Sequence, residues 1–456
     1  MTDTRSHDVM AAWRGRDRFG KQWRGRTVVV VGLAKSGSAA ARLLVTLGCH
    51  VRVTELSDSA QVRALARALE ADGVAQVEVG RHSRALLEGA EVMIVSPGVP
   101  ETADPIQWAL AQGLPVWSEI ELAFRFCRAT IVAVTGTNGK SSVVTLLERI
   151  MKTAGRPAVA CGNLGTPFSS VVSSLTSEAI AVVEVSSFQL LRCDQFRPAI
   201  SVLLNLGCNH LDRHGDRDSY IAAKANIFRR QTPEDYTVLN GSSPEIAALR
   251  PQVHAQCVWF GEGQQNPPRL ELDPATCRLW PENLQAVLQV ARLLDVPDPL
   301  TAQVIREFRG LEHRLEPVAT IRGVRFVNDS KSTTPDSFLY ALRRCPGTVV
   351  PILGGRDKHL DFSALERALT DARIRGVVLI GEARPRLRQC LNGSVETREG
   401  RSLEEAIRMA LDLARPGDAV LFSPACASFD MFRNFEERGQ VFKTLVHQLQ
   451  QGNGHA

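Results

Sequence analysis

Short, solid apolar runs alternate with longer amphipathic stretches along almost the whole of this 456-residue chain. Residues 27–31 read TVVVV, 92–95 VMIV, 131–134 IVAV, 181–184 AVVE and 201–205 SVLLN, with Val51–Thr54 between the first two. The pattern returns at 324–327, 348–353, 376–380 and 419–422. A strand buried on both faces reads as such a run, and parallel strands need a long, usually helical, crossover between them. The alternation therefore predicts an α/β protein of mostly parallel sheets with helices on both faces. Helical periodicity runs up to Leu47 and fits 141–153, 219–230, 282–294 and 402–413.

A length like this allows roughly two to four domains. Breaks in the pattern divide the chain into a polar extension (1–25), a Rossmann-like domain (26–118), a central P-loop ATPase-like domain (119–310) and a second Rossmann-like domain (311–456). With 44% hydrophobic and 23% charged residues there is enough apolar material for several cores, so disorder is excluded. The net charge of +5 is mild. It suits anionic small molecules, and without a dense Lys/Arg stripe and interleaved aromatics it gives no reason to expect nucleic acid. Ten cysteines occur singly, with no CxxC pair, which reads as reduced thiols in a cytoplasm. Arg5, Arg14, Arg16, Arg18, Lys21 and Arg24 precede no apolar core before Thr27, so the start is not a signal peptide. No apolar run reaches the roughly 18 residues of a membrane-spanning helix. A monomer is the expected state.

The strongest chemical signal lies at 131–142, where the strand runs into GTNGKSS. Glycines let backbone N–H groups close on phosphate oxygens, and the following helix adds positive charge at its N-terminus. Lys140 can neutralise β- and γ-phosphates, and Ser141 can ligate Mg²⁺. The common GxxxxGK[ST] spacing would need glycine at 134, where this chain has Val134, so the loop is a variant. Gly136, Thr137, Asn138, Gly139, Lys140, Ser141 and Ser142 are the candidate ATP cradle. Glu184 ends the next apolar run, where an acid in an α/β sheet meets the ligand crevice. His210 follows a further run, and Lys224 sits amid Ala and Ile on a predicted helix. Singly, these last two read as a structural histidine and a snorkelling lysine.

Taken together, these residues resemble the Mur ligase family, which also includes folylpolyglutamate synthases. The resemblance spans about Thr27 to Leu449 and rests on GTNGKS at 136–141, Glu184, His210 and the Ala-Lys context of Lys224. The glutamate-adding branch is matched by SPG at 96–98, GNLG at 162–165, SSFQ at 186–189, HLDRH at 210–214, EHR at 312–314, NDSKST at 328–333 and LGGRDK at 353–358. Its most specific string is SPACASFD at 423–430, continuing to NFEERG at 434–439. The resemblance implies an ATP-dependent amide ligase that joins D-glutamate to UDP-N-acetylmuramoyl-L-alanine through an acyl phosphate in peptidoglycan precursor synthesis.

The resemblance also implies roles. Lys140, Glu184, His210 and Lys224 are catalytic, with two Mg²⁺ ions held by Ser141, Glu184, His210 and a carbamylated Lys224. Arg314, Asp329 and Lys331 meet ATP from the third domain. Only Asn283 fits the family's adenine-contacting segment. Lys35, Ser36, Ser96, Pro97, Gly98, Asn163 and Gln189 serve the UDP-substrate. Thr333, Lys358, Ser428, Phe429 and Phe435 surround the glutamate. The changes to Ser332 and Thr334 lie near that glutamate site, and L-glutamate or another amino acid remains an alternative substrate. Two further readings stay open: a non-catalytic nucleotide-binding module, and an NAD-dependent oxidoreductase. The second rests on the turn Gly32–Gly37, where Ala34 replaces the middle glycine of GxGxxG, and on Glu55 about 20 residues on, where a ribose-binding acid sits.

Overall fold

The computed structural model describes residues 16–163, 165–207, 211–261, 281–357 and 360–453. These divide into two compact units, Met1–Phe308 and Arg309–Ala456.

The first unit carries two wholly parallel sheets. In the first, β1 (Thr27–Val31), β2 (His50–Glu55), β3 (Gln76–Val79), β4 (Val92–Val95) and β5 (Val116–Ser118) lie in the order β3-β2-β1-β4-β5. The second holds β6 (Thr130–Thr135), β7 (Ala158–Gly162), β8 (Ile180–Glu184), β9 (Ile200–Leu203), β10 (Tyr236–Asn240) and β11 (Gln256–Phe260), ordered β11-β10-β9-β6-β8-β7. Both orders turn back at a central strand, β1 or β6. In an open parallel sheet the ligand crevice opens there, beyond the strands' carboxyl ends.

The second unit has one sheet. Strands β12 (Glu316–Ile321), β13 (Val324–Asn328), β14 (Val349–Gly354), β15 (Val377–Ile380), β16 (Thr397–Glu399) and β17 (Ala419–Phe422) run β12-β13-β17-β14-β15-β16. All pairs are parallel except β12–β13, an antiparallel edge. The expected α/β class with mostly parallel sheets is therefore what the chain adopts.

Two local expectations shift. The helix expected over 219–230 spans Arg217–Ala225, because Asp216 caps it from outside by accepting from the amide of Ser219 at 2.7 Å. The polar extension is not peripheral over residues 16–25. Trp23 is wholly buried in the core shared by the unit's two sheets, and its Nε1 donates to Asp17 at 3.1 Å. Asp17 also pairs with Arg125 at 3.5 Å, while Arg125 pairs with Glu121 at 2.9 Å on the same helix, Glu119–Phe126. That helix is the direct link from β5 to β6, so the segment clasps the joint between the two sheets.

Candidate active site

The phosphate loop forms where β6 ends. A fully buried run, Ile131–Thr135, drives the strand through the core, and Gly139 stops it in a left-handed conformation with φ of 84° at the N-cap of helix Lys140–Thr153. A Cβ at Gly139 would stand 2.1 Å from Nδ2 of Asn283, so only glycine fits this turn. Asn283 is buried, and among the described residues its Oδ1 accepts no hydrogen bond. An unsatisfied buried acceptor beside the loop suits an incoming N–H donor such as an adenine amine.

The segment after β9 zips onto the loop. Asn205 accepts from the Asn138 amide at 2.8 Å and donates back to its carbonyl at 3.1 Å. Thr137 Oγ1 accepts from the Gly207 amide at 2.7 Å and lies 2.9 Å from Tyr220 Oη. Lys140 folds over the loop, donating to the carbonyls of Gly136 at 2.7 Å and Thr137 at 2.9 Å. Ser142 is half-buried beside it.

Glu184, at the end of β8, faces the same crevice. Its Oε2 accepts from Ser141 Oγ at 2.6 Å and its Oε1 from Asn163 Nδ2 at 2.7 Å. A hydroxyl and a carboxylate in contact at the edge of a phosphate loop are the hard oxygen donors Mg²⁺ prefers. Among the described residues no three His, Cys, Asp or Glu side chains cluster at metal-binding spacing. His210 lies outside the described residues. Lys224 is 2% exposed, and its Nζ donates to the Gly136 carbonyl at 3.0 Å and to Thr135 Oγ1 at 3.4 Å. Burial first, then the nearby Lys140 charge, holds this amine well below the usual lysine range, partly opposed by Glu184.

A cavity of about 340 Å³ opens above these groups. Pro97, Gly98, Gly136, Thr137, Lys140, Asn163, Phe188, Arg213 and Lys224 are among the residues lining it. It thus joins the turn after β4 to the phosphate loop. Its lining includes the cationic side chains of Lys140 and Arg213 and, among the described residues, no carboxylate, which favours an anionic ligand.

The other expected UDP-side residues fall on two sites. Lys35 and Ser36 open the helix Lys35–Thr46 after β1, and Ser96 Oγ donates to the Gly32 carbonyl at 3.0 Å. Gln189 is buried, and its carbonyl oxygen accepts from the Ser186 amide at 2.9 Å, closing a capping box. Glu55 spends both oxygens on backbone, accepting from the amides of Leu33 and Ser57 at 2.8 Å each. It braces the Gly32 turn instead of offering a carboxylate to a ribose.

In the second unit, Lys331 Nζ stands 3.7 Å over the ring of Phe435. Ser428 is buried, Thr333 and Arg314 are half-buried, and Phe429 is 60% exposed. Lys358 lies outside the described residues. Arg438, 1% exposed, donates to the Ser330 carbonyl at 2.8 Å and the Cys426 carbonyl at 3.0 Å. It pins the 328–333 segment to the 423–430 segment, and burial brings its pKa down to about 10.

Asp329 accepts from the Leu315 amide at 3.1 Å and from Ser423 Oγ at 2.8 Å. Burial outweighs both hydrogen bonds and pushes its pKa up to about 7. The acid is protonated in both the folded and the unfolded chain at low pH, and ionises first in the unfolded one. Stability is therefore expected to fall between pH ~4 and ~7, by up to ~1.4 kcal/mol per pH unit. Asp329→Asn should flatten that slope in thermal midpoints recorded against pH, and an unchanged slope would reject the assignment.

Asn205, Tyr220, Arg213 and Arg438 carry no role in the sequence reading. Asn205 had a signal, its place just past a buried run, and Arg438 lay inside a distinctive string. Arg213 likewise lay inside a matched string, HLDRH at 210–214, and Tyr220 had no signal.

Parallel sheets with a phosphate loop at the switch point, and a hydroxyl–carboxylate pair beside it, define an α/β nucleotide-using enzyme. Family comparison narrows this. Residues 26–118 match the MurD-like N-terminal domain, 134–284 the Mur ligase middle domain and 313–426 the Mur ligase glutamate ligase domain. The UDP-N-acetylmuramoylalanine–D-glutamate ligase of Desulfosudis oleivorans is 37% identical over 449 residues, covering 94% of this chain and 97% of the relative. That of Geotalea uraniireducens is 39% identical, covering 94% and 99%. Among solved structures, Acinetobacter baumannii MurF superposes with a TM-score of 0.59 at 17% identity, covering 98% of each chain. The chain belongs to the Mur ligase family.

Proposed function

We propose that the protein is an ATP-dependent ligase that adds D-glutamate to UDP-N-acetylmuramoyl-L-alanine, releasing ADP and phosphate. One observation carries the mechanism: a single cationic cavity that has Pro97 and Gly98 in one wall and Lys140 in another. The names of the relatives, at this identity and coverage, carry the substrates.

The UDP phosphates sit at the N-terminus of helix Lys35–Thr46, against Lys35 and Ser36. The muramoyl-alanine arm passes Ser96–Gly98 and Asn163 into the cavity, so that its carboxylate faces the ATP γ-phosphate. Lys140 turns from the loop carbonyls to the phosphates as ATP enters. A carboxylate oxygen bonds to the γ-phosphorus, the β–γ bridge breaks, and ADP leaves. The glutamate nitrogen, having lost its proton, then bonds to the acyl carbon as phosphate departs. Ser141, Glu184, His210 and carbamylated Lys224 would hold two Mg²⁺ ions, which would neutralise charge between these anions. The chain's own contribution is positioning and screening, as phosphoryl transfer requires.

The role of Lys224 follows from its state. Burial shifts Lys224 toward the uncharged amine, the form that can attack carbon dioxide, forming an N–C bond and losing a proton, and the carbamate would offer anionic oxygen to a metal. Arg314, Asp329, Lys331 and Asn283 serve ATP, and Thr333, Lys358, Ser428, Phe429 and Phe435 serve glutamate. The eight described cysteines are unpaired, and no helix among the described residues is long and apolar enough to cross a membrane. The unpaired cysteines fit a reducing compartment such as the cytoplasm.

The test is phosphate release from ATP and UDP-N-acetylmuramoyl-L-alanine with D-glutamate, L-glutamate or no amino acid. Release with D-glutamate alone is the expected result. Release with L-glutamate alone would keep the phosphate-loop chemistry and reassign the pocket around Thr333 and Ser428. No release with either would reject the substrate assignment.

A further inference from the structure

Three segments of the first unit meet at one side chain in the wall of the cavity, Arg213. Arg213, on the short helix Leu211–His214, donates through Nη1 to the Pro97 carbonyl at 3.1 Å and through Nη2 to the Val99 carbonyl at 2.9 Å. Its guanidinium also lies 3.9 Å from the centre of the Phe188 ring, four residues past Glu184. The turn it grips is itself joined to the Gly32 turn by Ser96, whose hydroxyl reaches the Gly32 carbonyl at 3.0 Å. One planar cation therefore links the turn after β4, the segment after β8 and the helix after β9.

We propose that Arg213 is a positioning residue that holds the Ser96–Val99 turn of the first sheet in register with the phosphate loop of the second. The proposal rests on the ligase reading above. In that reaction the substrate is anchored by its UDP end at the first sheet and reacts at its other end over the second. The spacing between the two sheets' ligand edges then sets the distance from carboxylate to γ-phosphate. Displacement of about 1 Å in such a contact can cost on the order of 10²-fold in rate. Two carbonyls of one turn, at positions two apart, need two donors in a fixed fork. A flat face is needed as well to lie on Phe188. Arginine offers both, and lysine offers only a point charge. The linkage runs through backbone carbonyls, so the side chains of residues 97–99 need not take part.

The test uses the full chain as wild type, Arg213→Ala and Arg213→Lys. Initial rates are measured with ATP, UDP-N-acetylmuramoyl-L-alanine and D-glutamate varied in turn. Deuterium uptake is followed over residues 96–99 and 136–141. Arg213→Ala is expected to raise KM for the UDP-substrate about tenfold or more while KM for ATP stays within about twofold, a split that general destabilisation does not produce. Uptake should rise over 96–99 and not over 136–141. Added guanidinium ion should restore part of the KM. Arg213→Lys should fall between the two, and is read the same way if the alanine variant does not fold. Unchanged KM, equal loss for every substrate, or unchanged uptake over 96–99 each overturns the proposal. If the wild type does not ligate, yet uptake over 96–99 rises in the variant, the clamp stands and the reaction assignment falls. If the wild type ligates and neither KM nor uptake responds, the clamp falls and the reaction stands.

Discussion

Lys140→Ala is expected to leave no measurable ligation, a loss of at least roughly 10²–10³-fold, the size of effect seen when one preorganised charge donor is removed. The side chain does two things in turn. Without nucleotide, its ammonium closes the loop by bonding the carbonyls of Gly136 and Thr137. In the proposed reaction, the same ammonium would offset charge that gathers on the γ-phosphoryl group in the transition state. The loop has other supports, since Asn205 holds Asn138 from both sides and Gly207 holds Thr137. The variant should therefore fold, with a thermal midpoint near that of the wild type and weakened ATP binding by calorimetry. Lys140→Arg keeps the charge but changes its reach and shape, and should rescue binding more than turnover. Full ligation by Lys140→Ala would remove the ATP assignment of the 136–142 loop.

The fold was legible because parallel strands buried on both faces announce themselves as solid apolar runs. β1, β4, β6, β8 and β17 are of this kind, buried along nearly their whole length. The edge strands β3 and β16 are not: QVEV and TRE are half-exposed and carry no such pattern. Trp23 was hidden for a related reason. Two isolated aromatics, Phe19 and Trp23, within a run of Arg and Lys make no sustained periodicity, and only the pocket Trp23 fills reveals its burial. At the site, the loop glycines and Glu184 could be read locally, because strand end and turn fix their direction. Arg213 and Tyr220 could not, since their partners lie 116 and 83 residues away in sequence. Asn283 stood between: its fit to the adenine segment was readable, but its contact with Gly139 needed the helix Pro281–Leu293 in place.

Lys224→Ala should be inactive for a different reason from Lys140→Ala, and the two can be separated by rescue. Burial and the nearby Lys140 charge disfavour an ammonium at Lys224, and the Glu184 charge opposes them only in part. Its partners are one carbonyl, one hydroxyl and the Tyr220 ring at 4.8 Å, while the positive Lys140 is close enough to depress its ionisation. An ammonium there would be buried beside a like charge, which is costly. The neutral amine is instead the form that captures carbon dioxide. Once carbamylated, the residue presents an anion to the positive side of the phosphate loop, and the repulsion with Lys140 becomes attraction. If this is the working state, what catalysis requires at position 224 is a carboxylate-like head and not a lysine as such. Acetate or formate, supplied to Lys224→Ala, should enter the vacated space and restore a measurable fraction of turnover. Neither should help Lys140→Ala, where a cation is missing. Lys224→Arg, which cannot be carbamylated and stays charged, should be as inactive as the alanine variant and should not respond to either acid. Normal turnover in Lys224→Ala without added carboxylate would remove the carbamate. It would leave the buried lysine as a prop for the Gly136 carbonyl.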